Sequence, residues 1–175
     1  SEVSRDSIYV AVSTDTGSFQ YPGTTQRTYE MAADLVGRGL NVGEINQLTY
    51  DNQPYRKVEL MRALLNSLDR SQDGLLVWWD LQMETKTKLG LVDDDTEGMI
   101  DFIRSVQGVV VAVFFEDLEG GKVRVSMRSK DSRVNASEIC GCFGGGGHSL
   151  AAGIRMGGPL EDAREKVLVE IRESI

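Results

Sequence analysis

The stretch VVVAVFFEDLEGGKVRVSMRS, residues 109–129, predicts the centre of a β-sheet. Its first seven residues are all apolar, which is typical of a strand buried on both faces. The segment EDLEGGK contains two adjacent glycines and predicts a hairpin turn. The following KVRVSMRS, residues 122–129, alternates apolar and polar residues, so its apolar side would face a core. Its other side would carry Arg124, Ser126 and Arg128, which predicts a sheet face bearing guanidinium groups.

The sequence on either side of this hairpin completes an α/β pattern. LLVWWDL, residues 75–81, predicts a strand followed by a short helix, and DDDTEGMIDFIRSV predicts a helix that starts at Asp95 or Thr96. After the hairpin, NASEICGCF predicts a short helix, AAGIRM a further strand, and Pro159–Ile175 an amphipathic helix. We therefore predict a mixed-sheet α/β domain over residues 73–175.

Residues 1–53 predict a smaller, partial parallel α/β piece. IYVAVS, residues 8–13, is a β-branched and aromatic run that predicts a buried strand. TTQRTYEMAADLVGRG predicts a helix capped by Thr24 or Thr25, and VGEINQLTY predicts a weaker helix. A strand, a polar loop and a helix form half of a βαβ unit. Residues 54–72, from the helix-opening Pro54 to the turn-like SLDRSQDG, predict a connecting helix and linker.

The segment CFGGGGHSLAAG, residues 142–153, places four consecutive glycines before the only histidine in the chain, His148. A flexible linker is one interpretation, but this run lies between a predicted helix and an apolar strand rather than among Ser, Gly or Pro. The glycines are better suited to positive φ and close backbone approach, and successive bare amides form an anion-binding nest. The residues of a P-loop and of a dinucleotide fingerprint are missing. His148 is suited to donate to a phosphate or to stack on a base, with a structural imidazole as the alternative.

The charge of the chain is uneven. Its net charge of −8 argues against binding to long duplexes, which need a basic face. Residues 120–156 nevertheless contain six Lys or Arg and two acids, a local charge of +4. A small anionic ligand is therefore favoured there. No apolar run is long enough for a membrane span and no signal peptide is recognisable, so we expect a cytoplasmic protein without a membrane partner.

The remaining candidates for chemistry are two cysteines and one aspartate. Cys140 and Cys142 are too close for an easy disulfide and lack the further ligands of a zinc site, so packing at a helix end is expected.

Asp15, in TDTG, follows the predicted strand, and parallel sheets bind ions and ligands beyond the carboxyl ends of their strands. It is a candidate metal ligand, with capping of a turn or helix as the alternative. One carboxylate cannot hold Mg²⁺ or Mn²⁺ alone, so its partners must come from elsewhere.

Several of these motifs, in this order, resemble a known family. GGGGHSLAAG, preceded by VRVSMRS and DTEGMIDFIRSVQG, is similar to the DHH-associated substrate-binding domain. STDTGSFQYPGTTQRTYEMAADLV resembles the last metal-binding motif and the following helix of the DHH catalytic domain. The chain therefore resembles the C-terminal part of a DHH-family phosphoesterase, and is most similar to the oligoribonuclease and pAp-phosphatase branch.

The resemblance implies hydrolysis of short oligonucleotides or adenosine 3′,5′-bisphosphate (pAp) to mononucleotides. In this family two Mn²⁺ or Mg²⁺ ions activate a water for attack on phosphorus. Asp15 would be a metal ligand, and the associated domain would grip the phosphate and the terminal nucleotide. The implied substrate-binding residues are Arg104, Ser126, Arg128, Gly144, Gly145, Gly146, Gly147 and His148.

The sequence also departs from the family pattern. The early Asp motifs and the Asp-His-His signature are absent, so we expect a C-terminal fragment that binds without efficient hydrolysis. The expected partner is a short single-stranded oligonucleotide or a small nucleotide such as pAp. A noncatalytic nucleotide-binding module, acting as a sensor or interaction domain, is the alternative from another class. The sequence leaves open cyclic-dinucleotide products as substrates and a homodimer as the oligomeric state.

Overall fold

A computed structural model describes all residues, 1–175, and divides the chain into two compact units, Ser1–Pro54 and Tyr55–Ile175. Eight α-helices and one six-stranded mixed sheet confirm the predicted mixed α/β class. No helix has the length and apolar character that a membrane crossing requires.

The first unit consists of helices alone: α1 (Glu2–Asp15), α2 (Gln26–Gly37) and α3 (Val42–Tyr50). The two later helices were predicted, and α2 begins after Thr25, whose side chain forms a reciprocal capping box with Thr28. A small core of Tyr9, Leu35 and Leu40 joins the three helices.

The predicted strand at 8–13 is wrong, because these residues lie inside α1. The Ser1 hydroxyl caps this helix by accepting a hydrogen bond from the amide of Ser4. The two buried residues of α1, Tyr9 and Ser13, are one helical turn apart, while Ile8 is exposed. A strand needs a neighbouring strand for its backbone hydrogen bonds, and the first unit has none, whereas a helix satisfies its own. The predicted parallel α/β piece is therefore an all-helical unit.

The second unit contains the sheet and five helices. Its elements are α4 (Tyr55–Asn66), β1 (Asp69–Arg70), β2 (Leu76–Leu81), α5 (Met83–Leu89), a 3-10 turn (Asp93–Thr96), α6 (Met99–Arg104), β3 (Val111–Leu118), β4 (Lys122–Ser129), α7 (Ala136–Gly141), β5 (Gly146–His148), β6 (Ala151–Gly157) and α8 (Leu160–Ser174). The strand order is β1-β2-β3-β4-β6-β5, and only the pair β2–β3 is parallel. The predicted central strand and hairpin are β3 and β4.

Two apolar clusters cover the two faces of the sheet. On one face, α7 and α8 pack against residues such as Val113, Val125 and Ile154. On the other, Leu60 of α4 and Ile103 of α6 pack against residues of β2 and β3. The helix that the sequence assigned to a connecting segment, 54–72, is thus part of the core of the second unit. Its apolar stripe fits the sheet, and burying that stripe there removes it from water.

On the second face, α4 and α6 pack mainly on β2 and β3, and the part formed by β4, β6 and β5 is more open. The side chains of β4 on this face, Arg124, Ser126 and Arg128, are half-buried, and Arg155 and His148 on the outer strands are exposed. The valines and methionine of β4 are buried on the opposite face. The alternation predicted from KVRVSMRS is confirmed, and it leaves an open polar surface on β4, β6 and β5.

Asp95 fastens α4 to the 3-10 turn. Its buried carboxylate accepts a hydrogen bond from Arg56 Nε at 2.5 Å and one from the amide of Val92 at 2.8 Å. Burial raises the pKa of Asp95, but these two bonds outweigh it and hold the pKa below its ordinary value. A lowered folded-state pKa stabilises the fold above the ordinary pKa, and this stabilisation disappears as the pH falls through the lowered value.

We expect Asp95→Asn to lower the free energy of unfolding at neutral pH by about 2 kcal/mol, because Arg56 loses a charged partner. The difference from the parent protein should shrink below about pH 4, where the carboxyl in the unfolded chain protonates. Urea unfolding of both proteins at several pH values tests this. A difference that is constant over the whole range would contradict the assigned ion pair.

Candidate functional site

The strand register brings several of the sequence-predicted residues onto one surface. Arg128 of β4 lies opposite Ala151 of β6, which in turn lies opposite His148 of β5. Residues directly opposite each other in an antiparallel ladder share a face. Arg128 and His148 therefore lie on the same side of the sheet, separated by the small side chain of Ala151.

The next row of the ladder is lined by small residues. Ser126 lies opposite Gly153, and Gly153 lies opposite Gly146. Because their side chains are small or absent, these residues form a shallow depression on the sheet between Arg124 and Arg128. A cavity of about 360 Å³ borders this row, with Ser126, Arg124 and Arg128 in its wall together with Phe114. The arrangement offers donors around a space that is open to a ligand.

Arg104 and Arg128 meet at one carboxylate. Arg104 Nε lies 3.1 Å and Arg128 Nε 3.5 Å from Oδ1 of Asp101 in α6. Arg128 also donates to the carbonyl oxygen of Met127 at 3.2 Å. The structure thus brings together two of the predicted phosphate contacts, one from a helix and one from a strand. Asp101 thus contacts both guanidinium groups, and one of the two arginines, Arg128, lines the cavity.

Arg124 is held by a second acidic group, Glu116, which is 1% exposed. Its carboxylate forms an ion pair with Arg124 and a second with Lys86 of α5, whose Nζ lies 2.7 Å from Oε1. Arg124 also donates to the hydroxyl of Thr96 at 2.6 Å. These contacts fix Arg124 in the wall of the cavity. Sequence reasoning missed Glu116, although the hairpin places it opposite Arg124.

The glycine segment is an edge strand and not an open loop. Gly144 has a φ of +76° and ends the turn after α7, and β5 then pairs with β6. A Cβ on Gly145 would lie 2.4 Å from the carbonyl oxygen of Gly153, and one on Gly147 would lie 2.6 Å from that of Ala151. Both glycines therefore permit close approach of β5 to β6. The predicted close approach is present, and its partner in the structure is the neighbouring strand.

Asp15 is in a different setting from the one predicted. It is the last residue of α1, it is exposed, and no strand precedes it. No group of three or more His, Cys, Asp or Glu residues in the chain is arranged to hold a metal ion. The metal role of Asp15 stays a prediction that rests on the family resemblance alone.

The two cysteines differ in environment. Cys140 is buried in the cluster beneath α7, and burial raises the pKa of its thiol to about 11. Cys142 is exposed, with its Sγ 3.5 Å from the carbonyl oxygen of Glu138. Cys140 thus packs at a helix end as predicted, and its raised pKa keeps it in the unreactive thiol form. The same prediction is wrong for Cys142, whose side chain is exposed.

Comparison with known families identifies the second unit. The DHHA1 domain matches residues 82–175, which is more than half of the chain. The chain belongs to the DHHA1 domain family. The matched range begins just after β2 and contains Arg104, Ser126, Arg128 and the glycine segment. All the substrate-binding candidates of the sequence thus lie inside the DHHA1 domain.

The chain is also similar to proteins of known name. It is 34% identical over 170 residues to the bifunctional oligoribonuclease and PAP phosphatase NrnA of Thermus thermophilus, covering 96% of this chain and 50% of the relative. It is 30% identical over 139 residues to the A-adding tRNA nucleotidyltransferase of Geobacter sulfurreducens, covering 79% of this chain and 15% of that protein. The chain spans about half the length of the NrnA relative and a smaller part of the other.

A solved structure shares the fold. The crystal structure of an exopolyphosphatase-related protein from Bacteroides fragilis superposes with a TM-score of 0.89 at 24% identity, covering 99% of this chain and 51% of that chain. At this identity the likeness shows the fold alone. The folds of both units of this chain therefore occur together in that larger protein.

Proposed function

We propose that the DHHA1 domain of this chain binds the phosphate and terminal nucleotide of a short oligonucleotide or of pAp. One observation supports this most strongly: Arg104 and Arg128, from different elements, converge on Asp101, and Arg128 lines an open cavity, in a chain of net charge −8. A guanidinium group presents a planar fork of donors that matches phosphate oxygens. Ser126 adds a hydroxyl donor in the same wall.

His148 and the glycine segment complete the proposed site. The imidazole is exposed on the same side of the sheet as Arg128. From there it is suited to donate to a phosphate or to stack on a base. The outer edge of β5 is the edge of the whole sheet, so its backbone amides on that side have no strand partner. A ligand that lies across β6 and β5 would meet these amides as well as the imidazole.

The whole protein is proposed to be a DHH-type phosphoesterase that releases mononucleotides. The NrnA relative, whose printed name gives both activities, supports this assignment. A pair of Mn²⁺ or Mg²⁺ ions would supply the activated water in such an enzyme. This chain does not offer a fitting set of ligands, because Asp15 has no acidic or histidine cluster around it. The contribution of this chain is therefore to bind and orient the nucleotide, and further metal ligands would have to come from outside it.

Binding of a fluorescent 5′-phosphorylated dinucleotide, followed by anisotropy, tests the proposed site. We expect Arg128→Ala and His148→Ala each to weaken binding about ten- to a hundredfold, because each loses a charged or strongly polar contact. Arg172→Ala is the matched control. It removes an exposed arginine from α8, a helix that packs on the opposite face of the sheet. Unchanged affinity in both site variants, or an equal loss in the control, would overturn the proposed site.

Hydrolysis is tested on the same sample. We expect the 175-residue chain to bind pAp but to release no measurable phosphate from it in the presence of Mn²⁺. Phosphate release is measured colorimetrically beside the anisotropy titration. Turnover at a rate that depends on Mn²⁺ would show that the chain carries a complete metal site, which contradicts this part of the proposal.

A noncatalytic nucleotide-binding module is the second candidate function. The similarity to 15% of a tRNA nucleotidyltransferase favours it, since the same kind of unit then occurs within a protein of another name. The two candidates separate in an assay of a longer protein that joins this chain to a DHH catalytic half. An extended protein that hydrolyses pAp or dinucleotides with Mn²⁺ supports the enzyme, and one that binds them unchanged supports the module.

A further inference from the structure

A second cavity lies on the same face of the sheet, at the opposite end of β4 from Arg128. Its volume is about 820 Å³, and its wall includes Lys86 of α5, Lys122 of β4 and Arg155 of β6. Lys122 and Arg128 are six residues apart on one strand, which corresponds to about 20 Å. One phosphate group cannot contact both side chains over this distance.

Two of the three cations of this cavity, Lys122 and Arg155, have no charged partner in the protein. Lys122 and Arg155 form no ion pair or side-chain hydrogen bond in the structure, although acids outnumber bases in the chain by 27 to 19. Arg155 lies directly opposite Arg124 in the ladder. Like charges in such a pair destabilise a sheet, so fold stability does not explain the second arginine. Glu116, the acid beside Arg124, is already shared with Lys86.

Other charged groups around the cavity leave room for an anion. Asp93 and Glu119 line it, but both are exposed and neither pairs with Lys122 or Arg155. Lys86 uses two of its three donors, one on Glu116 and one on the carbonyl oxygen of Asp117 at 3.1 Å. Its third N–H has no hydrogen-bond partner in the protein, and Lys86 lines the cavity. The wall thus offers three cationic side chains on three different elements.

We propose that this cavity, lined by Lys86, Lys122 and Arg155, is a second anion subsite for a phosphodiester of the same ligand. The inference rests on the proposed function, because the first phosphate occupies the Arg128 end of the face. A ligand that fills both subsites carries several phosphates along an extended strand, so it is an oligonucleotide of three or more nucleotides. A ligand with only one nucleotide, such as pAp, occupies the Arg128 end alone.

The test compares two ligands on one set of variants. Binding of pAp and of a 5′-phosphorylated tetranucleotide is measured in EDTA, so that hydrolysis does not change the ligand. We expect Arg155→Ala to weaken tetranucleotide binding about tenfold and Lys122→Ala about threefold, with pAp binding unchanged. Each lost phosphate contact should also lower the slope of log affinity against log salt by about 0.7 for the tetranucleotide.

The control variant is Lys88→Ala, an exposed lysine of α5 that does not line the cavity. Tetranucleotide binding that is unchanged in Arg155→Ala and Lys122→Ala, or a loss that Lys88→Ala reproduces, overturns the second subsite. So does an equal loss for pAp and the tetranucleotide. Arg128→Ala separates this result from failure of the proposed function: if it leaves the binding of both ligands unchanged, the first site itself is wrong.

Discussion

Replacing Gly147 by alanine should lower the free energy of unfolding by about 3 kcal/mol. The φ of Gly147 is +148°, where an L side chain is strained, and its Cβ would lie 2.7 Å from Cα of Ala152. The carbonyl oxygen of Ala151, 2.6 Å from the added Cβ, and Cα of Ala152 both belong to the paired backbone of β6, so neither can move without breaking the β5–β6 ladder. The loss comes from strain together with overpacking.

Gly146→Ala is the matched control, because a Cβ there meets no atom within 4 Å and its φ is not positive. We expect this variant to unfold at nearly the same urea concentration as the parent. Chemical unfolding followed by circular dichroism measures both. An equal loss in the two variants would show that the glycines serve general flexibility, which contradicts the close strand approach.

Removing the carboxylate of Glu116 should be the other large effect. Glu116→Ala leaves Lys86, which is 12% exposed, without its charged partner inside the protein. Breaking a buried ion pair in this way costs about 3 to 5 kcal/mol, because the remaining charge stays desolvated. Urea unfolding of the variant at neutral pH measures the loss.

Two further variants separate charge from general damage to the hairpin. Glu119→Gln changes an exposed acid three residues along the chain, and we expect it to leave stability unchanged. Glu116→Leu combined with Lys86→Met removes the two most buried charges and should recover much of the stability, since an apolar pair needs no compensation. Arg124, the other partner of Glu116, is half-buried and keeps its hydrogen bond to Thr96. If the double variant is as unstable as Glu116→Ala, the loss comes from packing and the ion pair is not its cause.

The ion pair between Glu116 and Arg124 was predictable from the sequence, although our sequence analysis did not predict it. The turn EDLEGGK sets the register of the hairpin, so Leu118 pairs with Lys122 and Glu116 with Arg124. A charged residue at the end of an apolar strand, opposite an arginine, indicates an ion pair. That signal was in the sequence, because hairpin pairing is local.

The prediction of a strand at residues 8–13 was wrong because local sequence alone cannot distinguish a strand from a helix there. A short β-branched run fits a buried strand and a helix equally well, and its surroundings decide between them. Here Tyr9 packs with Leu35 and Leu40 from later helices, and no strand is within the unit to pair with. The expected position of Asp15 beyond a strand was lost with that prediction.

The sequence predicted a close backbone approach at the glycine segment, which the structure shows between β5 and β6, but it did not predict a strand there. Glycine is depleted in strands, so its sequence gives no strand signal. Only the pairing of Gly146 with Gly153 and of His148 with Ala151 makes it the edge of the sheet. The same pairing brings His148 to the face that carries Arg128.

By itself, the sequence determined the helices of the second unit, its longer strands and the faces of β4, because alternation along a strand and capping of a helix depend on residues a few positions apart. It did not determine the short strands β1 and β5. It placed Arg124, Ser126 and Arg128 together on a polar face. The tertiary structure alone decided which residues share that face across strands, that Arg104 joins Arg128 at Asp101, and that α4 belongs to the core. Those contacts join distant parts of the chain, and their energy comes from burial and ion pairing that no local segment contains.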